Sequence, residues 1–436
     1  MSVPSRPSGA ERLLNLFTEV RAGEARTALL LALNVFLILM AYYILKTVRE
    51  ALILGEGSAE LKSYLSAGQV VLLAFAVPLY GRLVAAYSRI KLINVVTTFF
   101  ILCPVAFYLL ARLGVPLGMI YFVWIGIFNL MMVAQFWSFA NDVYSKEEGE
   151  RLFVIVGFGA SLGAVAGSRI ADRLIEPFGV LQLMLLGAGV LALQLLLTNY
   201  VDRIERNRRP PTVKAATAKT AHTNAFAMVF RTRYLLLMGL MLMMLNWINT
   251  TGEYILGSIV KNHVTAMIAA GQGNGLSEGQ LIGDFYAKYF TLVNITSLLL
   301  QLFVVSRIVK HRGVAWALMV LPALSFGAYN VLMFIPTLGA VLAAKVAENA
   351  TDYSLNSTVK NMLFLPLTSE QKFSAKQAID SFFVRMGDVL SAALVFVGST
   401  FLILPPRGFA AVNVLLVAIW LLLAWRVGRH YKALTR

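Results

Sequence analysis

The chain has 436 residues, of which 58% are hydrophobic and only 14% charged, against about 25% charged in soluble domains; this excludes a soluble globular protein. A single cysteine, Cys103, excludes a disulfide framework and a thiolate metal site. The net charge of +16 would suit nucleic acid, but the 38 Lys and Arg concentrate in alternate loops, the pattern that orients a membrane protein, and no nucleic-acid partner is expected.

In chain order, residues 1–26 read as a cytoplasmic segment lacking an apolar core followed by a small-residue cleavage site. Within it Leu13, Leu14, Leu16, Phe17 and Val20 fall on one side of an amphipathic helix lying along the membrane surface. Apolar stretches then recur near 27–50, 63–86, 91–112, 117–143, 152–175, 178–200, 231–260, 281–306, 313–335, 337–360, 375–401 and 408–427. Each can cross a hydrocarbon core of roughly 30 Å. The expected fold is all-α and polytopic, with about twelve transmembrane helices in two six-helix halves, 27–201 and 231–428. Residues 202–230, with Pro210-Pro211, form a basic linker, and 429–436 a basic tail. The basic loops share a side with both termini, which are therefore expected in the cytoplasm.

The first span carries Lys46, Arg49 and Glu50 where lipid would be expected. A cation at mid-membrane costs about 2.5–3.5 kcal/mol even on lenient insertion scales, so such groups face a wet interior or a partner. Their spacing of three and four residues puts them on one helix face. Two cations and one carboxylate leave positive charge for an anion, and a guanidinium grips two phosphate oxygens at once. Tyr42 and Tyr43 lie beside them, as do Phe136 and Trp137 on the fourth span, which ends in Asn141 and Asp142; such rings can stack on a planar base. The fifth span carries Gly159, Gly163 and Gly167 at intervals of four, a smooth face for close helix packing. The seventh span holds Asn246, Asn249 and Glu253, and the tenth Lys345, Glu348, Asn349, Asp352 and Lys360. Asp284 with Lys288, and Arg385 with Asp388, read as structural ion pairs.

The four histidines, His222, His263, His311 and His430, fall in or beside loops. No zinc-protease, serine-nucleophile or phosphate-loop pattern occurs, so no enzyme, cofactor or metal is expected. Tyr43-Ile44-Leu45 in the first span echoes Tyr254-Ile255-Leu256 in the seventh, as a duplicated carrier would.

This layout resembles the major facilitator architecture, which implies that spans 1, 4, 7 and 10 line a central cavity. More specifically, Tyr353-Ser354-Leu355, Lys360, Met362, Pro366-Leu367 and Ala378-Ile379-Asp380 resemble the pattern of plastidic and bacterial ATP/ADP translocases. Phe136-Trp137, Phe139-Ala140-Asn141, Glu150-Arg151 and the first-span segment YILKTVREAL are similar to the same family. The chain departs from it at Asn356, Ser357 and Asn361, and in having Asn129 and Gln135 but no carboxylate before Phe136. The resemblance implies a divergent bacterial member exchanging nucleotides by alternating access; a monomer in the bacterial inner membrane is expected.

On that reading Lys46 and Arg49 meet phosphates, Lys345 or Lys360 adds charge from the other half, and Tyr43, Trp137 and Asn141 contact base or ribose. Glu50, Glu253, Asp142 and Asp352 pair with cations or gate. The rival reading is a proton-coupled or facilitative major-facilitator-type carrier of another small anion or metabolite, with Glu253, Asp142 or Asp352 as the proton site where it is coupled. A membrane scaffold or sensor is a third reading, but it gains nothing from cations facing a cavity.

Overall fold

The computed structural model describes residues 15, 18–21, 23–208, 225–368, 371, 375–376 and 378–435. Every regular element among them is helical. The order is α1 (Ala25–Glu56), α2 (Ala59–Ala86), α3 (Arg89–Arg112), α4 (Gly118–Val143), α5 (Lys146–Phe178) and α6 (Val180–Arg208). Then follow α7 (Ala225–Arg231), α8 (Arg233–Ala269), α9 (Glu278–Leu300), α10 (Ser306–Arg312), α11 (Val314–Phe334), α12 (Leu338–Thr351), α13 (Ser357–Met362), α14 (Val384–Thr400) and α15 (Pro406–Leu434). π-helical turns at Gln301–Val305, Asp352–Asn356 and Ile379–Phe383 interrupt the second set.

Helix ends follow local chemistry. Ser145 starts α5 with a capping box, its hydroxyl accepting from the Glu148 amide while the Glu148 carboxylate accepts from the Ser145 amide. Gly313, at φ +77°, separates α10 from α11 in a backbone region that disfavours a side chain.

Among the described residues, eleven helices are long and apolar enough to cross a membrane. The expected tenth span is not one of them, because it is built as α12, a π turn and α13 and carries Lys345, Glu348, Asp352 and Lys360. Leu338 to Met362 is nevertheless 25 residues, about 37 Å at 1.5 Å per residue, enough for a roughly 30 Å core. The chain is a multi-pass membrane protein.

Of the expected surface helix, Leu13, Leu14, Leu16 and Phe17 lie outside the described residues; Val20 is buried and non-helical. Linker residues 209–224, including Pro210-Pro211, also lie outside them. The start of the expected linker is helical through Arg208, and the expected tail continues α15 to Leu434.

Backbone packing sorts the chain into two units. Unit 1 comprises Met1–Leu52, Leu72–Lys214 and Gly279–Thr291; unit 2 comprises Ile53–Val71, Ala215–Glu278 and Leu292–Arg436.

In unit 1, α1 and α5 meet at Gly159, Gly163 and Gly167. A Cβ at any of them would overlap the carbonyl oxygen of Ala32, Phe36 or Met40 in turn. Each glycine thus meets one turn of α1, and the close approach exists because no side chain intervenes. Beside this contact, Asn34 donates to the Thr198 hydroxyl at 2.7 Å and accepts from Gln194 at 2.9 Å. Arg89 bridges Asp202 at 2.8 Å and Asp142 at 3.4 Å. Arg151 holds the segment preceding α1, pairing with Glu24 at 2.8 Å and donating to the Glu19 carbonyl at 2.5 Å, while Thr18 donates to the Arg151 carbonyl. Lys288 pairs with Asp284 at 2.6 Å on α9.

In unit 2, α8 packs against α12, α14 and α15, and α11 runs along α15. Asp388 of α14 accepts from Asn246 at 2.8 Å and Thr250 at 2.9 Å, and Arg385 lies 3.4 Å away. That carboxylate fastens α14 to α8.

Candidate functional site

The ionisable residues of the first span are in unit 1. One face of α1 carries Lys46, Arg49 and Glu50, because residues three and four apart stack on adjacent turns. Glu50 is buried and forms an ion pair with Arg49, whose guanidinium lies 5.0 Å from the centre of the Phe122 ring. The Lys46 ammonium is 4.2 Å from the Phe290 ring, 5.2 Å from Tyr43 and 5.9 Å from Tyr42. Tyr42 stacks in turn on Phe128. Rings attract a cation through their quadrupoles and so help to hold an ammonium in an apolar setting. Both cations remain half-buried rather than sealed.

Tyr43 is therefore brought to Lys46, but Trp137 and Asn141 are not. Trp137 lies 15 residues along α4 from Phe122, roughly 22 Å at helical rise. Its ring packs on Phe136 and Phe153. Asn141 is exposed on the last turn of α4, and Asp142 next to it pairs with Arg89.

Unit 2 contains a second polar centre, between α8, α11 and α12. Lys345 has no exposed side-chain surface. Its ammonium is 2.7 Å from Glu348, 2.7 Å from the Asn249 side-chain oxygen and 3.5 Å from Glu253. Tyr329 and Ser325 donate to Glu348 at 3.1 Å. Glu253 accepts from Asn349 at 3.0 Å and lies 3.8 Å from Lys62 of α2. Lys345 is thus a buried, fully engaged member of a network, not a group standing at an open surface. The position of Glu253 differs: a quarter of its side chain is exposed, and it stands between two ammonium groups.

Farther along the same unit, a cavity of about 310 Å³ is lined by Asp352, Tyr353, Asn356, Ser357 and Lys360, with Leu242, Leu245 and Val384 on its apolar side. The π turn at Asp352–Asn356 shapes this wall; such turns gather at functional sites. Asn356 donates to Asp352 at 2.7 Å, and Lys360 pairs with Asp380 at 2.8 Å.

Sequence reasoning missed Phe122 and Phe290 as partners of the first-span cations, and Lys62, Tyr329 and Asn249 as partners of the unit 2 charges. Asn249 was visible as a polar residue within an apolar span. The others carried no signal: the rings are ordinary in a chain with 27 Phe and 16 Tyr, and Lys62 stands at a helix start where a flanking cation is unremarkable. No cluster of three or more potential metal ligands occurs among the described residues.

Solved structures share the fold. Nucleoside transporter NupG superposes with a TM-score of 0.64 at 11% identity, over 94% of this chain and 99% of that one. A bacterial homologue of the iron transporter ferroportin, in an inward-facing state, gives 0.66 at 13% identity over 92% and 98%. These are major-facilitator-type carriers, and at such identities the likeness concerns fold alone. By sequence, the chain is 24% identical over 350 residues to ADP,ATP carrier protein 1 of Chlamydia pneumoniae, covering 70% of this chain and 65% of that protein. It is 20% identical over 350 residues to ADP,ATP carrier protein 3 of Rickettsia bellii, covering 68% and 64%. The match spans less than two thirds of these relatives' own length. The sequence profile described as TLC ATP/ADP transporter matches residues 5–121, which include the Lys46–Glu50 face, and 323–431, which include Lys345 and the polar wall of the π-turn cavity. With more than half of its residues in that match, the chain belongs to the TLC ATP/ADP transporter family.

Proposed function

We propose that this protein is a secondary transporter that exchanges phosphorylated nucleotides of the ATP/ADP type across a bacterial inner membrane. Two six-helix halves alternate access to a central site, both termini face the cytoplasm, the carrier works as a monomer, and the solute crosses chemically unchanged. The observation carrying this reading is the α1 face: an ammonium lodged among aromatic rings one turn from a guanidinium, both half-buried. That pairing suits a polyphosphate, with Arg49 gripping oxygens and Lys46 adding field. Tyr43, beside that ammonium, then contacts the base or ribose. Glu50 holds Arg49 until phosphate replaces it, sparing the empty carrier a bare charge. Lys360 and Asp352 line the unit 2 cavity for a later stage of transit, and Trp137 and Asn141 meet the solute elsewhere on its path. Lys345 supports the fold of unit 2 and sets the charge around Glu253. The family and the names of the relatives support the nucleotide assignment.

The test is uptake of a labelled nucleotide panel by liposomes preloaded with ATP, ADP or buffer. Uptake should require internal nucleotide and vanish in Arg49→Ala, with membrane insertion unchanged. Wild-type uptake by that variant would remove Arg49 from the site. Uptake indifferent to internal nucleotide would refute exchange. Glu253 between Lys62 and Lys345 favours a second reading, a proton-coupled carrier; uptake collapsed by an uncoupler and blind to internal nucleotide would select it.

A further inference from the structure

The end of unit 2 formed by α10, the start of α11 and the last turns of α15 is strongly basic. Arg307, Lys310 and Arg312 are exposed there, with Arg426, Arg429 and Lys432 of α15. No Asp or Glu occurs from residue 301 to 347, or anywhere after Asp388. Orientation in a membrane requires basic loops but not a particular geometry, and here a geometry is present. Two guanidinium groups lie over two indoles, Arg312 at 5.6 Å from Trp316 and Arg429 at 4.8 Å from Trp425. A Cβ at Gly428 would come 3.1 Å from the Ala315 side chain, so the two helices touch between the stacks. Arg312 precedes Ala315 by three residues and Trp316 follows it. On the antiparallel partner, Trp425 precedes Gly428 by three and Arg429 follows it. The backbones of Arg312 and Arg429 thus lie on the outer side of the contact, and those of Trp316 and Trp425 on the side of the span.

One face of α15 continues the pattern. Leu415, Ile419 and Leu422 are 68%, 50% and 63% exposed, and half of Trp425 is exposed below Arg429. Trp425 lies ten residues beyond Leu415, about 15 Å at helical rise, which is half of a roughly 30 Å hydrocarbon core. Aliphatic, indole and guanidinium groups follow one another as acyl chain, glycerol backbone and phosphate do in a phospholipid.

We propose that the α11–α15 pair binds an anionic phospholipid, its phosphodiester held by Arg312 and Arg429 and its chains along Leu415–Leu422. Stacking on indole fixes each guanidinium plane and leaves its N–H edge for phosphate oxygens. The aliphatic stripe distinguishes a lipid from free phosphate, which has no use for it. This assignment is independent of the cargo.

The test uses the full chain in mild detergent, incubated with phosphatidylglycerol, cardiolipin or phosphatidylcholine and analysed by native mass spectrometry. Wild type should retain the anionic lipids and shed phosphatidylcholine, and millimolar inorganic phosphate should not displace them. Joint Arg312→Gln and Arg429→Gln substitution should lower retention by roughly tenfold or more, because the charge-assisted hydrogen bonds to the phosphodiester are lost, whereas Lys432→Gln should cost far less. Equal loss in Lys432→Gln would reduce the effect to bulk charge and overturn the site, as would displacement by inorganic phosphate. If the double Gln variant does not fold, Arg312→Lys with Arg429→Lys keeps the charge and should still lose retention; full retention there overturns the proposal.

Discussion

Replacing Lys345 by Met tests whether the unit 2 network is structural, because the ammonium is fully buried and its partners are known. At the 2.7 Å separation from Glu348, Coulomb attraction is about 6 kcal/mol at an effective dielectric of 20. Desolvation of both ions offsets most of this. Removing one partner instead strands the other: Glu348 would stay buried with only the hydroxyls of Tyr329 and Ser325, a situation that costs about 3–5 kcal/mol. For a unit of some two hundred residues this is a fall of roughly 6–20 °C in Tm. Detergent unfolding is seldom reversible, so wild type and variants should be melted at one scan rate. Lys345→Met and Glu348→Met should each melt low, and the double variant should melt above the lower of the two, since it strands neither charge. A single variant within two or three degrees of wild type, or a double variant equal to the sum of the singles, would refute a coupled pair.

Other expectations follow from unit 1. Gly163→Val places a branched side chain against the Phe36 carbonyl and should cost about 1–3 kcal/mol by overpacking; thermal melting reads it, and an unchanged Tm would mean that α1 and α5 do not pack at these glycines. Phe290→Leu removes the ring nearest the Lys46 ammonium, about 0.5–2 kcal/mol of cation–π attraction; on the proposed function it should raise the KM for nucleotide uptake several-fold with insertion intact. Burial pushes the Glu24 carboxyl up, but hydrogen bonds from Arg151 and the Arg21 amide and the Arg151 charge outweigh it, so its pKa lies below the ordinary 4.5. A lowered carboxylate pKa contributes stability above the unfolded value that is lost as pH falls through the folded one. The protection of the Arg21 amide against exchange, relative to its intrinsic rate at each pH, should therefore hold at neutral pH and fall only below about 4.5, since that amide donates to Glu24 at 2.9 Å. Glu24→Gln should speed cleavage by trypsin after Arg21 at neutral pH, and an unchanged rate would separate that carboxylate from docking of the segment.

Apolar runs of membrane length and the one-sided basic loops were enough to give an all-helical multi-pass chain, because a bilayer forces each span to satisfy its own backbone. Regular spacing was equally informative within a helix: the three glycines and the Lys46–Glu50 face follow from 3.6 residues per turn. Partners from other helices were not readable, since distance in the chain says nothing about which ring meets which ion. Only packing put Phe290 on Lys46, Phe122 on Arg49 and Tyr329 on Glu348, and so left Trp137, four turns along α4 from Phe122, away from the first-span cations. The same holds for charge state of use: Lys345 and Lys46 are both lysines in apolar spans, yet one is sealed by carboxylates and the other ringed by aromatics. Cost of burial demands that each cation have company; which company, and hence what each can bind, depends on helices brought together from distant parts of the chain.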